Sequence, residues 1–304
     1  MPRRSCGSAL VLALTGLVGC NVARIGVNQM APVLKAGAPV FYTEGDVQFA
    51  REAMPGTLKL VEGLLETSPH NEALLLQLAE GYCGYAFLFI EDDYEALRPG
   101  DEDARAPLAA RASGFYQRCG AYAVRVLEER HKGFGRILGG LLPDLEAALR
   151  KVEAEDVPAL FWLSFSEAAY VNLNRDKIEA VANLGRIEAL LARVIELDER
   201  FFYGAAHLAR GGLMVARPKL LGGEPDRGRA EIERALALSG GKFLMHKILL
   251  ARIYAVSVGD RALFERILRE ILATPTTVLP EMRLANEIAH RRAQRYLGLI
   301  DELF

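Results

Sequence analysis

The sequence predicts an all-α protein whose helices stack in pairs around a shared core. Three observations predict it. Apolar residues recur every three to four positions along successive segments, short polar turns separate those segments, and no alternating runs of β-branched residues are bounded by hairpin turns. Just over half of the 304 residues are hydrophobic, which supports a folded core and excludes a disordered chain.

The first twenty residues have the order of a secretory signal peptide that ends at a lipidation site. Arg3 and Arg4 form a basic start, an apolar run covers 9–18, and Gly19 directly precedes Cys20. The apolar run is too short to span a bilayer as a helix. A lipoprotein signal peptidase requires a small residue before the cysteine, so we expect 1–19 to be removed and Cys20 to be acylated. The alternative is an ordinary secreted protein in which Cys20 is incidental.

Residues 20–43 are predicted to form the lipidated N-terminus and a tether, because prolines and glycines interrupt this stretch. Several acyl chains on one residue give stable anchoring, so the chain is expected to be held at a membrane without crossing it. No later segment is expected to be long and apolar enough to span a bilayer. Asn21 carries no aspartate-type signal for inner-membrane retention, which favours a periplasmic location on the outer membrane.

The helical domain is predicted to cover 44–304. Asp46 is the expected N-cap of its first helix, which should end at 68–71. Residues at helical spacing form one apolar face of this helix: Phe49, Met54, Leu58, Val61, Leu64 and Leu65. Later helices are predicted over 72–90, 107–131, 142–154, 157–172, 179–198, 201–216, 225–238, 242–257, 260–273 and 280–303. The acidic stretch 91–101 is expected to be a solvated loop.

Charge and cysteine content limit the partners and the redox state. The formal charge is −2 for the whole chain, and removal of Arg3 and Arg4 leaves −4, so no nucleic-acid partner is expected. Cys83 and Cys119 remain after export to an oxidising compartment. They either form one disulfide between two helices or remain as buried thiols, and the sequence favours neither.

No motif for catalysis or for metal binding is present in the sequence. The five histidines form neither a His-Glu-x-x-His pair nor a cluster with cysteine. The glycines at 133–140 and 240–241 lack the spacing and the preceding strand of a phosphate-binding loop, and no Gly-x-Ser-x-Gly elbow occurs. We therefore expect a protein that is not an enzyme and that has no cofactor and no metal.

A degenerate internal repeat points to tetratricopeptide-like helix pairs. These repeats place a large residue, a small residue and an aromatic along the first helix of each pair. That spacing occurs at Leu78-Ala79-x-x-Tyr82 and Leu250-Ala251-x-x-Tyr254, with a weaker copy at 208–212. Small residues allow the paired helices to approach closely, and stacking then buries faces that one pair alone leaves open. The predicted fold is a superhelical array of cryptic tetratricopeptide-like repeats.

Two segments depart from a plain repeat. The apolar stretch 159–165 contains Trp162, the only tryptophan in the chain. It is either a core helix or the aromatic wall of a cavity. The stretch 216–225 is longer than a repeat turn needs, and is either a long turn or a loop shaped for a partner or a subunit. The loop residues of interest are Leu221, Gly222, Gly223, Glu224 and Pro225.

The chain resembles the T component of tripartite ATP-independent periplasmic (TRAP) transporters, a family of tetratricopeptide-type lipoproteins. The resemblance lies in the lipobox at Cys20, Phe161-Trp162-Leu163 with Asn172 and Asn174, Glu196-Leu197-Asp198, Phe202 to His207, Leu221 to Pro225, Ala230 and Ala235-Leu236. It implies an all-helical trimer with a hydrophobic pore in each subunit. It also implies a solute-binding subunit as partner and a hydrophobic or organic-acid ligand, with no catalytic residues.

Aromatic residues near the matched motifs are the candidates for pore or ligand lining: Trp162, Phe165, Tyr170, Tyr203 and His207. Two other functions remain open at this point. One is a stand-alone carrier of lipid or another hydrophobe, and the other is a tetratricopeptide scaffold for envelope assembly. The long loop and the Phe161-Trp162 helix favour the transport function, because a generic scaffold needs neither.

Overall fold

A computed structural model describes residues 8–98, 100–217 and 222–304, with side chains from residue 22 onward except those of 180 and 181. All regular elements in this described part are helical, which confirms the all-α prediction. The α-helices are α1 (Ser8–Gly37), α2 (Pro39–Thr43), α3 (Val47–Thr67), α4 (Glu72–Tyr85), α5 (Glu91–Ala96), α6 (Glu102–Arg130), α7 (Phe134–Leu138), α8 (Leu142–Leu149), α9 (Val157–Leu173), α10 (Ile178–Val181), α11 (Leu184–Asp198), α12 (Ala205–Ala216), α13 (Pro225–Leu238), α14 (Leu244–Leu249), α15 (Arg261–Ala273), α16 (Arg283–Gly298) and α17 (Ile300–Leu303).

The stretch expected to be a tether is helical and packs on the body. Val27 and Ala31 of α1 are buried. The Asn28 side-chain oxygen accepts hydrogen bonds from Ser68 and Asn71 in the turn between α3 and α4, both at 2.8 Å. Packing against the body therefore begins before residue 44, because one face of α1 supplies small and apolar side chains to the core.

Helix α3 begins as predicted. The Asp46 carboxylate accepts hydrogen bonds from the backbone N–H groups of Gln48 and Phe49, and this satisfies two donors that the first turn leaves free. Met54, Leu58, Val61 and Leu65 are buried on one face. Phe49, expected on that face, is 61% exposed, because at about 100° per residue it falls on the opposite side of α3 from Met54, whereas Ala50 in the same turn is buried.

The second helix continues past its predicted end at Ile90. A π-turn over Ala86–Ile90 joins α4 to α5, so helical structure extends from Glu72 to Ala96. By length and composition this is the one helix in the described part that could cross a membrane, contrary to expectation, but 72% of its apolar window is buried inside the protein. It packs against α3, α6 and α9, as a core helix does.

Close helix pairing depends on glycine at two crossings. A Cβ added to Gly211 of α12 would lie 2.6 Å from the carbonyl oxygen of Gly228 in α13. A Cβ added to Gly120 of α6 would lie 2.8 Å from the Ser166 hydroxyl of α9. Of the three small residues expected to allow close approach, Ala79 and Ala251 are fully buried and Ala209 is half-buried. Whether these pairs are tetratricopeptide repeats stays a prediction.

The last long helix returns to the beginning of the fold. Helix α16 packs against α14 and α15, and it also contacts α2 and α3. Asn286 fixes its position, because its side-chain oxygen accepts a bond from the Leu244 N–H at 2.9 Å while its amide donates to the carbonyls of Lys242 and Thr276. The first and last parts of the helical body are thus joined directly.

Candidate ligand and partner sites

Rings from three parts of the chain meet beside α9, and we call this group the aromatic cluster. Its members are Phe161, Trp162, Phe165, Phe201, Phe202, Tyr203 and Phe243. The Trp162 ring centroid lies 4.9 Å from that of Phe161 and 5.3 Å from that of Phe202, both edge-to-face. Trp162 is 4% exposed, whereas Phe165 and Phe202 are only half-buried. The cluster therefore has a buried base and an accessible side, made of rings in favourable geometry.

A left-handed turn places two of these rings. Phe202, Tyr203 and Gly204 have φ angles of 45°, 60° and 81°, and such a conformation costs a non-glycine residue about 1–3 kcal/mol. A Cβ at Gly204 would lie 2.7 Å from Leu238. The turn directs Phe202 at Trp162 and sets Tyr203 against Phe243 with centroids 5.4 Å apart. It also delays the start of α12 to Ala205, four residues after the predicted start.

Two tyrosine hydroxyls lie beside the aromatic cluster, and each is bonded to a carboxylate. The Tyr203 hydroxyl donates to Glu281 at 3.3 Å, and burial, followed by the charge of Glu281, raises the pKa of Tyr203 to about 12. Tyr42 of α2 packs on Phe202 and its hydroxyl donates to Glu80. Both phenols therefore stay neutral across the physiological range and serve as hydrogen-bond donors.

Tyr170 lies in a different place from the other predicted lining residues. It borders an open cleft of about 430 Å³ between α6, α9 and α11. Side chains of mixed polarity line the cleft, among them Tyr116, Leu163, Ser166, Tyr170, Arg186 and Ile187. The Tyr116 and Phe165 rings lie 6.2 Å apart, so the cleft adjoins the aromatic cluster without being part of it.

His207 does not line the aromatic cluster. Its Nδ1 lies 2.6 Å from Glu231 of α13, and its Nε2 lies 3.4 Å from Glu199. Arg210 pairs with the same Glu231 carboxylate. The left-handed turn breaks the helical register between Tyr203 and His207, so the histidine faces α13 and joins two helices there.

His246 is the histidine that packs against the aromatic cluster, and sequence reasoning missed it. Its ring lies 4.5 Å from that of Phe243, and the residue is 2% exposed. Burial lowers the pKa of His246 to about 4, so the imidazole is neutral at physiological pH. The i, i+3 spacing to Phe243 after a double-glycine turn was the available signal.

The predicted partner loop is described only in part, since Leu221 lies outside the described residues. Gly222 has φ of 82°, and Glu224 is exposed. The Glu224 N–H donates to the Met214 carbonyl at 3.0 Å, which ties the loop to the end of α12. Pro225 occupies the first turn of α13, as its fixed φ favours.

The two cysteines of the body form a disulfide, Cys83–Cys119, with Cα atoms 5.5 Å apart. It joins α4 to α6, and the Cys119 sulfur lies 3.5 Å from the carbonyl oxygen of Trp162. The bond therefore lies directly beneath the aromatic helix α9. The side chain of Cys20, the predicted acylation site, lies outside the described residues.

The expectation of a solvated acidic loop after residue 90 is wrong. Glu91 and Asp92 are each 7% exposed, because the π-turn carries the helix onward and rotates these carboxylates toward α6 and α16. The residues Asp92, Glu95, Arg292 and Arg295 form what we call the ion-pair cluster. Arg295 approaches Asp92 to 2.5 Å, and the 1% exposed Arg292 lies 3.3 Å from the same carboxylate.

Two neighbours complete the ion-pair cluster. The Tyr296 hydroxyl donates to Glu95, and the Tyr116 hydroxyl donates to Glu91. Burial, the largest cause, raises the pKa of Glu91 to about 7. Arg292 also donates to the Phe87 carbonyl at 2.6 Å, in the π-turn where the regular helical bonding pattern is shifted. This cluster closes the fold by joining residues 200 positions apart.

In the part of the chain whose side chains are described, no three histidine, cysteine, aspartate or glutamate residues are grouped as metal ligands.

The chain is similar to an uncharacterized protein of Treponema pallidum (strain Nichols), with 23% identity over 266 residues, which is 87% of this chain and 82% of that protein. The family model of the TRAP transporter T-component matches residues 43–304. Because that match covers the helical body from α3 to α17, the chain belongs to the TRAP transporter T-component family.

Proposed function

We propose that this protein is a lipid-anchored, non-catalytic subunit of a TRAP-type transport system. It docks the periplasmic solute-binding subunit and holds a hydrophobic or organic-acid ligand at the aromatic cluster, in a trimer. The family match over 43–304 carries this proposal, since it associates the chain with TRAP transport and with a periplasmic or membrane-associated location. Acylation of Cys20, with the outer membrane as the site of anchoring, is part of the same proposal.

The aromatic cluster supports the ligand part. Phe165, Phe201 and Phe202 present half-buried ring surface beside a fully packed base. Binding sites for small ligands are mostly apolar, with a few placed polar groups, and the neutral Tyr203 hydroxyl at the edge is such a group. A ligand with an apolar body fits this surface better than a strongly polar one.

The first experiment is a pull-down from periplasmic extract with the full-length lipoprotein in detergent. Retention of a TRAP-type solute-binding protein is the expected result. Two variants form a matched pair, because both glutamates are exposed and each pairs with a nearby arginine. Glu224→Ala, in the predicted contact loop, should reduce retention, whereas Glu233→Ala, in the helix α13 that follows the loop, should not. Retention of envelope assembly factors instead would favour a scaffold.

The ligand is tested through Trp162, the only tryptophan. A fatty-acid-like probe bound at the aromatic cluster should change its emission, and Phe165→Leu should weaken that response. Tyr170→Phe is the control, because Tyr170 borders the separate cleft. An emission indifferent to every probe would argue for plain core packing. Co-purified lipid without any protein partner would favour a stand-alone carrier.

A further inference from the structure

Exposed apolar side chains are concentrated at the start of the described chain. Five of the twelve exposed large hydrophobic residues of the described part lie between positions 22 and 40. They are Val22 (64%), Ile25 (60%), Met30 (51%), Val33 (72%) and Val40 (69%). Single exposed apolar residues are ordinary, but a contiguous group on one element marks an interaction surface.

Four of them form an exposed stripe on α1: Val22, Ile25, Met30 and Val33. At about 100° per residue they fall within an arc of about 140°. The buried residues Val27 and Ala31 lie on the opposite side, against the body. Arg24 and Lys35, the only charged residues of α1 from position 22 onward, fall outside the arc. Gln29 is the one polar residue within the arc, so the stripe is an uncharged, mostly apolar face that points away from the protein.

The chemistry next to the stripe identifies what covers it. Val22 follows the predicted acylation site Cys20 by two residues. At about 1.5 Å of rise per residue, Val22 lies about 3 Å and Val33 about 20 Å along the helix axis from that cysteine. Acyl chains on Cys20 would hold this end of the helix at a bilayer, so the whole stripe would lie within about 20 Å of a lipid surface along the helix axis.

We infer that the exposed stripe of α1 lies in the lipid–water interface and sets the orientation of the body above the membrane. An apolar helix face buried at the level of the headgroups is a common mode of interfacial binding. With the stripe in the interface, Val27 and Ala31 face upward and carry α3 and α4 away from the lipid. This inference rests on the lipid anchor of the proposed function, but it replaces a flexible tether with a fixed attachment.

The test uses the acylated full-length protein in vesicles of phosphatidylethanolamine and phosphatidylglycerol that contain brominated lipid, which quenches tryptophan on contact. Val33→Trp places a reporter in the stripe, and Leu141→Trp is the matched control, because both positions are 72% exposed. The native Trp162 is 4% exposed and gives a constant background. The emission of the added tryptophan should be quenched in V33W and should remain unquenched in L141W.

Three outcomes overturn the inference. If brominated lipid does not quench the acylated V33W protein, the stripe does not lie in the lipid–water interface. The transport proposal is then unaffected, because the pull-down tests it separately. If the added tryptophan of V33W is shielded from solvent without any lipid, and if dilution removes that shielding, the stripe is covered by a second copy of the chain. A purified protein whose mass carries no acyl chains at Cys20 removes the anchor and the stripe assignment together, again without affecting the pull-down.

Discussion

The aromatic cluster and the ion-pair cluster meet at Phe87, yet different forces hold them together. The Phe87 ring lies 5.7 Å from that of Phe165 on one side, and the Arg292 guanidinium lies 5.0 Å from it on the other. The aromatic side is apolar and half open, so it can exchange one apolar neighbour for another. The ionic side is closed and tolerates no missing partner, because a buried charge without its counter-ion is costly. One region suits a ligand, and the other fixes the closure of the fold.

Arg292→Ala should have the largest effect on stability, since it leaves the buried Asp92 and the half-buried Glu95 beside a single remaining cation. Removing one partner of a buried pair costs about 3–5 kcal/mol. The free energy of unfolding, measured in urea, should fall by that amount. Arg269→Ala is the control, because its side chain is 70% exposed, and an exposed pair contributes about 0.5 kcal/mol or less. Equal effects of the two variants would mean that water reaches the ion-pair cluster.

Removing the disulfide beneath the aromatic cluster should cause the second-largest loss in the free energy of unfolding. Cys83 and Cys119 are separated by 36 residues, and closing a loop of that size stabilises a fold by about 2–4 kcal/mol. We expect the Cys83→Ala/Cys119→Ala variant to lose that free energy of unfolding. Reductant should destabilise the wild-type chain and leave the variant unchanged. Free thiols at both positions in protein isolated from the periplasm would establish the other alternative that the sequence left open.

Most helices could be predicted from the sequence, because they depend on local periodicity and caps. Asp46 and the start of α13 at Pro225 are examples, and both are confirmed. The pairing of Asp92 with Arg292 could not be predicted from the sequence, since no local pattern connects positions 200 residues apart. The acidic run looked like a solvated loop because its partners are distant in the chain.

The candidate site was predictable only where it follows one helix. Trp162 and Phe165 share a face of α9 at i, i+3 spacing, and the structure brings them together. Tyr203 and His207 would share a face if 201–216 were one helix. The left-handed turn at Phe202 separates them instead, and no simple sequence rule places a phenylalanine in that conformation.

The third prediction concerns pH and sharpens the ionic side of the comparison. The pKa of Glu91 is raised from 4.5 to about 7 in the folded state, so the folded chain binds this proton more tightly than the unfolded chain. The stabilisation from that proton is complete below about pH 4.5 and is lost as pH rises through 7. At 1.36 kcal/mol per pKa unit the loss is on the order of 3 kcal/mol.

Glu91→Gln should remove this pH dependence while its side chain still accepts the Tyr116 hydroxyl bond. In urea unfolding, the variant and the wild type should be similar at pH 5, and the variant should be the more stable at pH 8. Glu66→Gln on the exposed face of α3 serves as the control and should follow the wild type. A constant difference between E91Q and wild type at all pH values would mean that Glu91 does not take up a proton in this pH range.

The smallest expected effect on stability comes from two glycine substitutions. Comparing them separates backbone strain from steric crowding at the aromatic cluster. Gly204 and Gly259 both have a left-handed backbone, with φ of 81° and 69°. Nothing lies within 4 Å of a Cβ added at Gly259, so Gly259→Ala should cost only the left-handed penalty of about 1–2 kcal/mol. Gly204→Ala should cost more, because its Cβ meets Leu238 at 2.7 Å. It should also shift Trp162 emission, since the turn sets the Phe202 ring against the indole. If G204A matched G259A in stability and kept the wild-type emission, the turn would not position Phe202, and the accessible side of the aromatic cluster would owe its shape to α9 alone.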